Sequence, residues 1–97
     1  MNNYLDKIRK LTESELKENG CFMLQQKPLD KSAISKIMII EPFSVDDDNN
    51  ILYKGKCVVT VREEFGSLTM NCTFDGIGTL ENDNVKLSPS PIILKKR

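Results

Sequence analysis

The sequence contains no histidine and no tryptophan, and only 6% of its 97 residues are aromatic. Without histidine, the chain cannot assemble a Cys–His pair or a Ser–His–Asp triad. The cysteines, Cys21, Cys57 and Cys72, are odd in number and have no CxxC spacing. Such cysteines are atypical of a zinc site or a disulfide framework. The composition therefore argues against an enzyme and against a bound metal or other cofactor.

Long apolar segments are also missing from the sequence. The longest apolar run covers residues 37–40, which is far short of the roughly 20 residues that cross a bilayer. The first residues of the chain lack the unbroken apolar segment of a signal peptide. We therefore expect a cytoplasmic protein with no membrane association. Its length suits one domain, and we assign residues 1–97 to it.

The charged residues are balanced in number but not in position. Lysines and arginines number 14, as do aspartates and glutamates, so the formal net charge is zero. Residues 37–85, however, contain three cations and nine anions. An excess of one sign in part of a chain indicates a charged surface that meets an oppositely charged partner.

Helical spacing of apolar residues predicts a helical segment over residues 1–20. The residues that carry this pattern are Tyr4, Leu5, Ile8 and Leu11. Thr12 and Glu15 match a capping box, in which a hydroxyl and a carboxylate accept hydrogen bonds from backbone amides at the start of a helix. This match predicts either a short second helix from Glu13 or a kinked continuation of the first. Asn19-Gly20 is a typical helix end.

Residues 21–97 are predicted to be mainly antiparallel β-structure, and two runs of alternating apolar residues predict a hairpin. The runs are Cys57, Val59, Val61 and then Leu68, Met70, Cys72, Phe74. For both runs to share a face, paired residue numbers must sum to an odd value, such as 131 or 129. In the second register Cys57 lies opposite Cys72. We expect both thiols to be reduced core residues.

Turn residues divide the remaining β-structure. Pro42 is predicted to end a strand over residues 37–40. Asp75-Gly76 and residues 82–84 are predicted turns on either side of a short strand. Two further strands over residues 85–87 and 92–94 are separated by a segment with two prolines. The predicted fold class is α+β, with one or two N-terminal helices packed on an antiparallel sheet of five or six strands.

The acidic centre of the chain motivates a functional hypothesis. A small acidic protein without catalytic groups could block the basic cleft of another protein, and negative potential would speed their encounter. The class would be an inhibitor, for example an immunity protein that neutralises a nuclease-type toxin. The candidate contact residues are Asp46, Asp47, Asp48, Glu63, Glu64, Phe65 and Asp75.

Two alternatives to the inhibitor hypothesis remain open. A compact antiparallel sheet could be a nucleic-acid-binding β-module, although the neutral charge and scarce aromatic residues disfavour nucleic acid as the partner. The chain could also be a non-catalytic subunit of a larger assembly, and the sequence does not separate this alternative from the inhibitor.

Overall fold

One helix and eight strands form the fold of the computed structural model, which describes residues 3–97. Met1 and Asn2, at the start of the predicted helical segment, lie outside the described residues. The elements in chain order are α1 (Asn3–Asn19), β1 (Phe22–Leu24), β2 (Lys27–Pro28), a 3-10 turn (Lys31–Ala33), β3 (Ile34–Val45), β4 (Asn50–Glu63), β5 (Gly66–Glu81), β6 (Asn84–Leu87), β7 (Ile92–Ile93) and β8 (Lys95–Lys96).

Two sheets contain these strands. The larger sheet has the order β3-β4-β5-β6, and β8 pairs with β5 beyond the end of β6. All its pairings are antiparallel. The smaller sheet has the order β2-β1-β7, in which β1 and β7 run parallel. The helix packs against β3 and β6. The predicted α+β class is confirmed, and of the predicted one or two helices and five or six strands the structure has one helix on a five-stranded antiparallel sheet.

The helix α1 is continuous through Thr12, so the predicted second helix or kink is absent from the described residues. Thr12 is fully buried, and its Oγ1 donates a hydrogen bond to the carbonyl of Ile8 at 2.8 Å. Glu15 does not cap a helix start, and its Oε1 accepts from Nδ2 of Asn19 at 2.7 Å instead. The buried stripe therefore runs from Ile8 through Thr12 to Leu16, and it covers the sheet without interruption.

The pairing of β4 with β5 is the longest in the molecule. It runs without a bulge from Asn50↔Thr79 to Glu63↔Gly66, and Cys57 lies opposite Cys72. This is the second of the two registers that the alternating pattern allows, in which paired numbers sum to 129. The connecting turn is only two residues long, Glu64-Phe65.

Two predicted strand ends are wrong, and packing explains one of them. The strand β5 continues through Asp75-Gly76, because Gly76 leaves room for the ring of Tyr53. A Cβ at Gly76 would lie 2.3 Å from the Tyr53 hydroxyl oxygen. The strand β3 likewise continues past Pro42. It is an edge strand, where the missing N–H of proline is tolerated. The turn at Asn82-Asp83 was predicted correctly.

An aromatic cluster on the inner face of the large sheet forms the centre of the core. Phe74 contacts the ring of Phe22 at a centroid distance of 5.6 Å and that of Tyr53 at 6.3 Å, both edge to face. Burial, with a smaller contribution from Asp75, raises the pKa of Tyr53 to about 12. Gly55 lies under Phe74, and a Cβ there would be 2.3 Å from Cζ of that ring.

Replacement of Gly55 by alanine tests this packing. The added methyl group would meet the Phe74 ring and the carbonyl oxygen of Met38 at 2.9 Å, so we expect Gly55→Ala to lower the free energy of unfolding by about 2–3 kcal/mol. Urea denaturation measures the change. Thr60→Ala, at an exposed position of the same strand, is the control and should cost less than about 1 kcal/mol. Equal costs for the two variants would contradict the packing.

Candidate protein-binding site

The strands β4 and β5 extend beyond all the strands beside them. The strand β3 reaches only to Val59, opposite Ile34, and β8 reaches β5 at Cys72, opposite Lys96. Residues 60–69 therefore form a two-stranded ribbon, which we call the arm. Its four paired rows project about 13 Å at the usual rise of a strand. The molecule is accordingly elongated, with extents of 49 × 27 × 19 Å.

Large apolar side chains are exposed along the arm. Phe65 in the turn is 96% exposed, and Leu68 on the inner face is 43% exposed. The opposite face is polar, and the hydroxyl oxygens of Thr60 and Thr69 lie 3.3 Å apart there. The chain exposes 6938 Å² in total, compared with about 5,600 Å² expected for a compact protein of 11.0 kDa. A two-stranded hairpin alone is marginal in water, so the arm is an element that gains from a partner.

The predicted acidic contact residues lie in three separate places. Residues 46–48 are in the turn between β3 and β4, whereas Glu63 and Glu64 are at the tip of the arm. The whole of β4 separates these two groups, which corresponds to about 45 Å. Asp75 lies between them on the outer face of the sheet, opposite Lys54. The structure brings together Glu63, Glu64 and Phe65, but it does not form one acidic patch.

Asp46 has a structural role in its turn. Its Oδ1 accepts hydrogen bonds from the amides of Asp48 and Asn50, both at 2.9 Å, and its Oδ2 accepts from Nδ2 of Asn50 at 3.1 Å. The bonds from Asn50, and then that from Asp48, hold the pKa of Asp46 below its usual value although burial opposes them. Because this carboxylate is used inside the turn, Asp47 and Asp48 are the residues of this group that remain available to a partner.

A pH titration tests the role of Asp46. Because its pKa is lowered in the fold, the turn's hydrogen bonds should be complete above pH 3.8 and be lost as the pH falls through the lower folded value. We expect the amide shifts of Asp48 and Asn50 to titrate with a midpoint below 3.8 in NMR spectra. Asp46→Asn should abolish this titration, while Asp47→Asn should leave it unchanged. A midpoint above 3.8 in the wild type would contradict the bonding.

The outer face of the large sheet carries a cluster of cations that the sequence did not reveal. Lys54 and Lys56 both point outward from β4, and Lys95 lies in the same row as Lys56, two strands away, with Thr73 between them. These spacings are about 7 Å along the strand and about 10 Å across it. Leu52 and Ile77, which are directly paired and about half exposed, line an open groove of about 400 Å³ beside Lys54.

The paired cysteines are core residues. Burial, with a smaller effect of Cys72, raises the pKa of the Cys57 thiol to about 11. Burial also raises the pKa of Cys72, and Lys96 opposes this shift. Both thiols are free, as is the exposed Cys21. Residues 3–97 contain no cluster of side chains suited to a metal ion, and none of the helical structure within them is long and apolar enough to cross a membrane.

Comparison with known proteins returns no match to a protein family, to a curated protein or to a solved structure. The geometry of the arm and of the charged surfaces is therefore what bears on function.

Proposed function

We propose that this chain is a non-catalytic, protein-binding inhibitor that inserts the tip of its arm into a cleft of a partner protein. The proposal rests on the exposure of Phe65, whose side chain is 96% exposed at the end of the arm. Aromatic residues are enriched among the few that dominate binding energy. Burial of a phenylalanine side chain contributes roughly 1.5–3 kcal/mol.

The residues beside Phe65 specify the chemistry of the cleft. Glu63 and Glu64 directly precede Phe65 in the sequence, and both of these carboxylate residues are exposed. A cleft with an apolar floor and a basic rim is complementary to this tip. Nucleases have basic clefts because they bind phosphates, so a nuclease-type toxin is the partner that this chemistry suits. An immunity protein is the corresponding class of inhibitor.

Variants of the tip test the proposal. The partner is first isolated from the source cell through its binding to the immobilised chain, and its binding to each variant is then measured. We expect Phe65→Ala to weaken the affinity about 30-fold or more, because a hot-spot residue contributes about 2 kcal/mol. The double change Glu63→Lys with Glu64→Lys should slow association at least about tenfold at low salt and less at high salt. Biolayer interferometry measures both effects.

The acidic turn at the other end of β4 supplies the matched control. Asp47→Lys with Asp48→Lys makes the same change of charge about 45 Å from the tip, and we expect it to leave association unchanged. All variants should keep the melting temperature of the wild type. If the tip and control variants reduce binding equally, or if Phe65→Ala has no effect, the arm is not the contact element.

Binding of nucleic acid is a second candidate function, which the outer cation cluster of Lys54, Lys56 and Lys95 favours. The Cα atoms of these three lysines lie about 7–12 Å apart, so their ammonium groups would contact a phosphate backbone. Asp75, opposite Lys54, reduces this potential. The exposed apolar side chains that line the groove, Leu52 and Ile77, offer no aromatic ring for base stacking, and Tyr53, which also lines it, is only 3% exposed.

Retention on heparin distinguishes the two functions. The inhibitor proposal predicts elution at or below physiological salt, and Lys54→Glu with Lys56→Glu should change the elution little. A nucleic-acid binder would need high salt for elution, and the double variant would lose retention. The latter result would replace the inhibitor proposal with the second candidate.

A further inference from the structure

One edge of the arm lacks the features that protect sheet edges. Natural edges carry charged side chains, proline or a covering element that prevents pairing with other chains. The edge of β3 has Pro42, and Oε2 of Glu13 accepts its Ile39 amide at 3.1 Å. The edge of β4 in the arm carries Arg62 and Glu63. Residues 66–70 of β5 contain no charged residue and no proline.

The backbone groups at this edge are free to pair. The amide of Arg97 donates to the carbonyl of Asn71 at 2.9 Å, so the backbone groups of Asn71 point away from β4. Because strand residues alternate, those of Ser67 and Thr69 point the same way. No described strand pairs with β5 at these two positions. Each residue therefore presents one unpaired N–H donor and one C=O acceptor along an open edge.

We propose that a second copy of this chain pairs with residues 66–70 of β5 to form a two-fold symmetric dimer. In the antiparallel register that we assign, Ser67 of each copy lies opposite Thr69 of the other. Every backbone donor and acceptor of these residues is then paired across the interface. Such an edge is self-complementary, as a two-fold interface requires.

The same register brings the apolar side chains of the arm together. Leu68 lies on the two-fold axis opposite the second copy's Leu68, and it is 43% exposed in the single chain. Met70 lies opposite the second copy's Gly66, where the missing side chain leaves space for the thioether. The two inner faces join into one apolar strip across the four strands of the two arms. The interface thus covers part of the Leu68 side chain that is exposed in the single chain.

Charge complementarity favours a second copy as the occupant. No charged side chain lies along residues 66–70, so the axis brings no like charges together. The tip of each arm, with Glu63 and Glu64, reaches the second copy's last strand, which carries Lys95 and Lys96. The formal net charge of zero leaves no long-range repulsion between copies.

This inference goes beyond the proposed function and depends mainly on other atoms. Dimerisation uses the backbone of Ser67 and Thr69 and the side chain of Leu68, whereas capture of a partner depends on Phe65. The tip carboxylates take part in both, so the test leaves them unchanged. A chain with a defective edge but an intact tip would still bind the partner.

Sedimentation of the full chain over a range of concentrations is the first test. An interface of a few backbone bonds and small apolar contacts belongs to the weak class, so we expect a dissociation constant on the order of 10–100 µM. The weight-average mass should rise from 11.0 kDa towards twice that value. A monomer up to about 1 mM, where even weak pairs associate, would overturn the proposal.

Two double variants with the same first substitution test the register. Ser67→Glu with Thr69→Glu places like charges opposite each other at both symmetric pairs, while Ser67→Glu with Thr69→Lys places opposite charges there. In both variants the new carboxylate at position 67 faces Arg62 within the arm, so this pair inside the hairpin is the same in both. We expect the first variant to dissociate at least about tenfold more readily than the second. Equal dissociation constants would overturn the assigned edge.

Cross-linking tests the position of the two-fold axis. Leu68→Cys in a Cys21→Ser background should form an intermolecular disulfide under mild oxidation, because Leu68 faces its own copy across the axis. Ser67→Cys in the same background should cross-link far less, because Ser67 faces Thr69. Efficient cross-linking by the second variant alone, or by neither, would overturn the register. Fibres in place of a dimer would overturn the closed two-fold arrangement.

Discussion

The uninterrupted pairing of β4 with β5 determines where the core and the arm of this molecule form. Its register places Gly55 beneath Phe74 and Gly76 beneath Tyr53, so the aromatic core packs against bare backbone at two points. The same register sets Cys57 against Cys72 in the interior. Because this hairpin is longer than its neighbours, its outer four paired rows form the arm, while the rest of it contributes to the core. One pairing thus produces both the packed body and the exposed arm.

The fold, and not the order of residues in the sequence, determines which charged side chains of this protein lie together. The acidic central segment predicted one patch, but a fully extended strand carries residues 46–48 and Glu63 to opposite ends of the molecule. Lys54 and Lys56, which lie inside the acidic segment of the sequence, alternate to the outer face and meet Lys95 from the last strand there. The protein therefore has an acidic tip and a basic face, a division that a zero net charge conceals.

Local patterns predicted the elements whose causes are local. The helical stripe through Ile8 and the period of two in the hairpin follow from which face is buried, and the parity of the register follows from the same rule. The length of β5 could not be predicted, because Asp75-Gly76 is a typical turn sequence. Only the fold shows that Gly76 leaves room for the ring of Tyr53. Thr12 resembled a helix cap because its burial depends on the sheet, which the local sequence does not show.

The arm was beyond sequence reasoning because it is defined by where other strands stop. The sequence of residues 60–69 does not indicate that β3 begins with Ile34 opposite Val59, or that β8 ends near Asn71. Phe65 could be recognised as a candidate from its place beside a glycine in a turn. Its exposure depends on a tip that extends past every surface onto which it could fold.

NMR spectroscopy of the free chain shows whether residues 60–69 form an ordered hairpin without a third strand. In this register Thr60 and Thr69 are a close, non-hydrogen-bonded pair, as are Arg62 and Ser67. We expect strong Hα–Hα nuclear Overhauser effects within both pairs at concentrations below dimerisation. Random-coil chemical shifts over the arm and no such effects would contradict it.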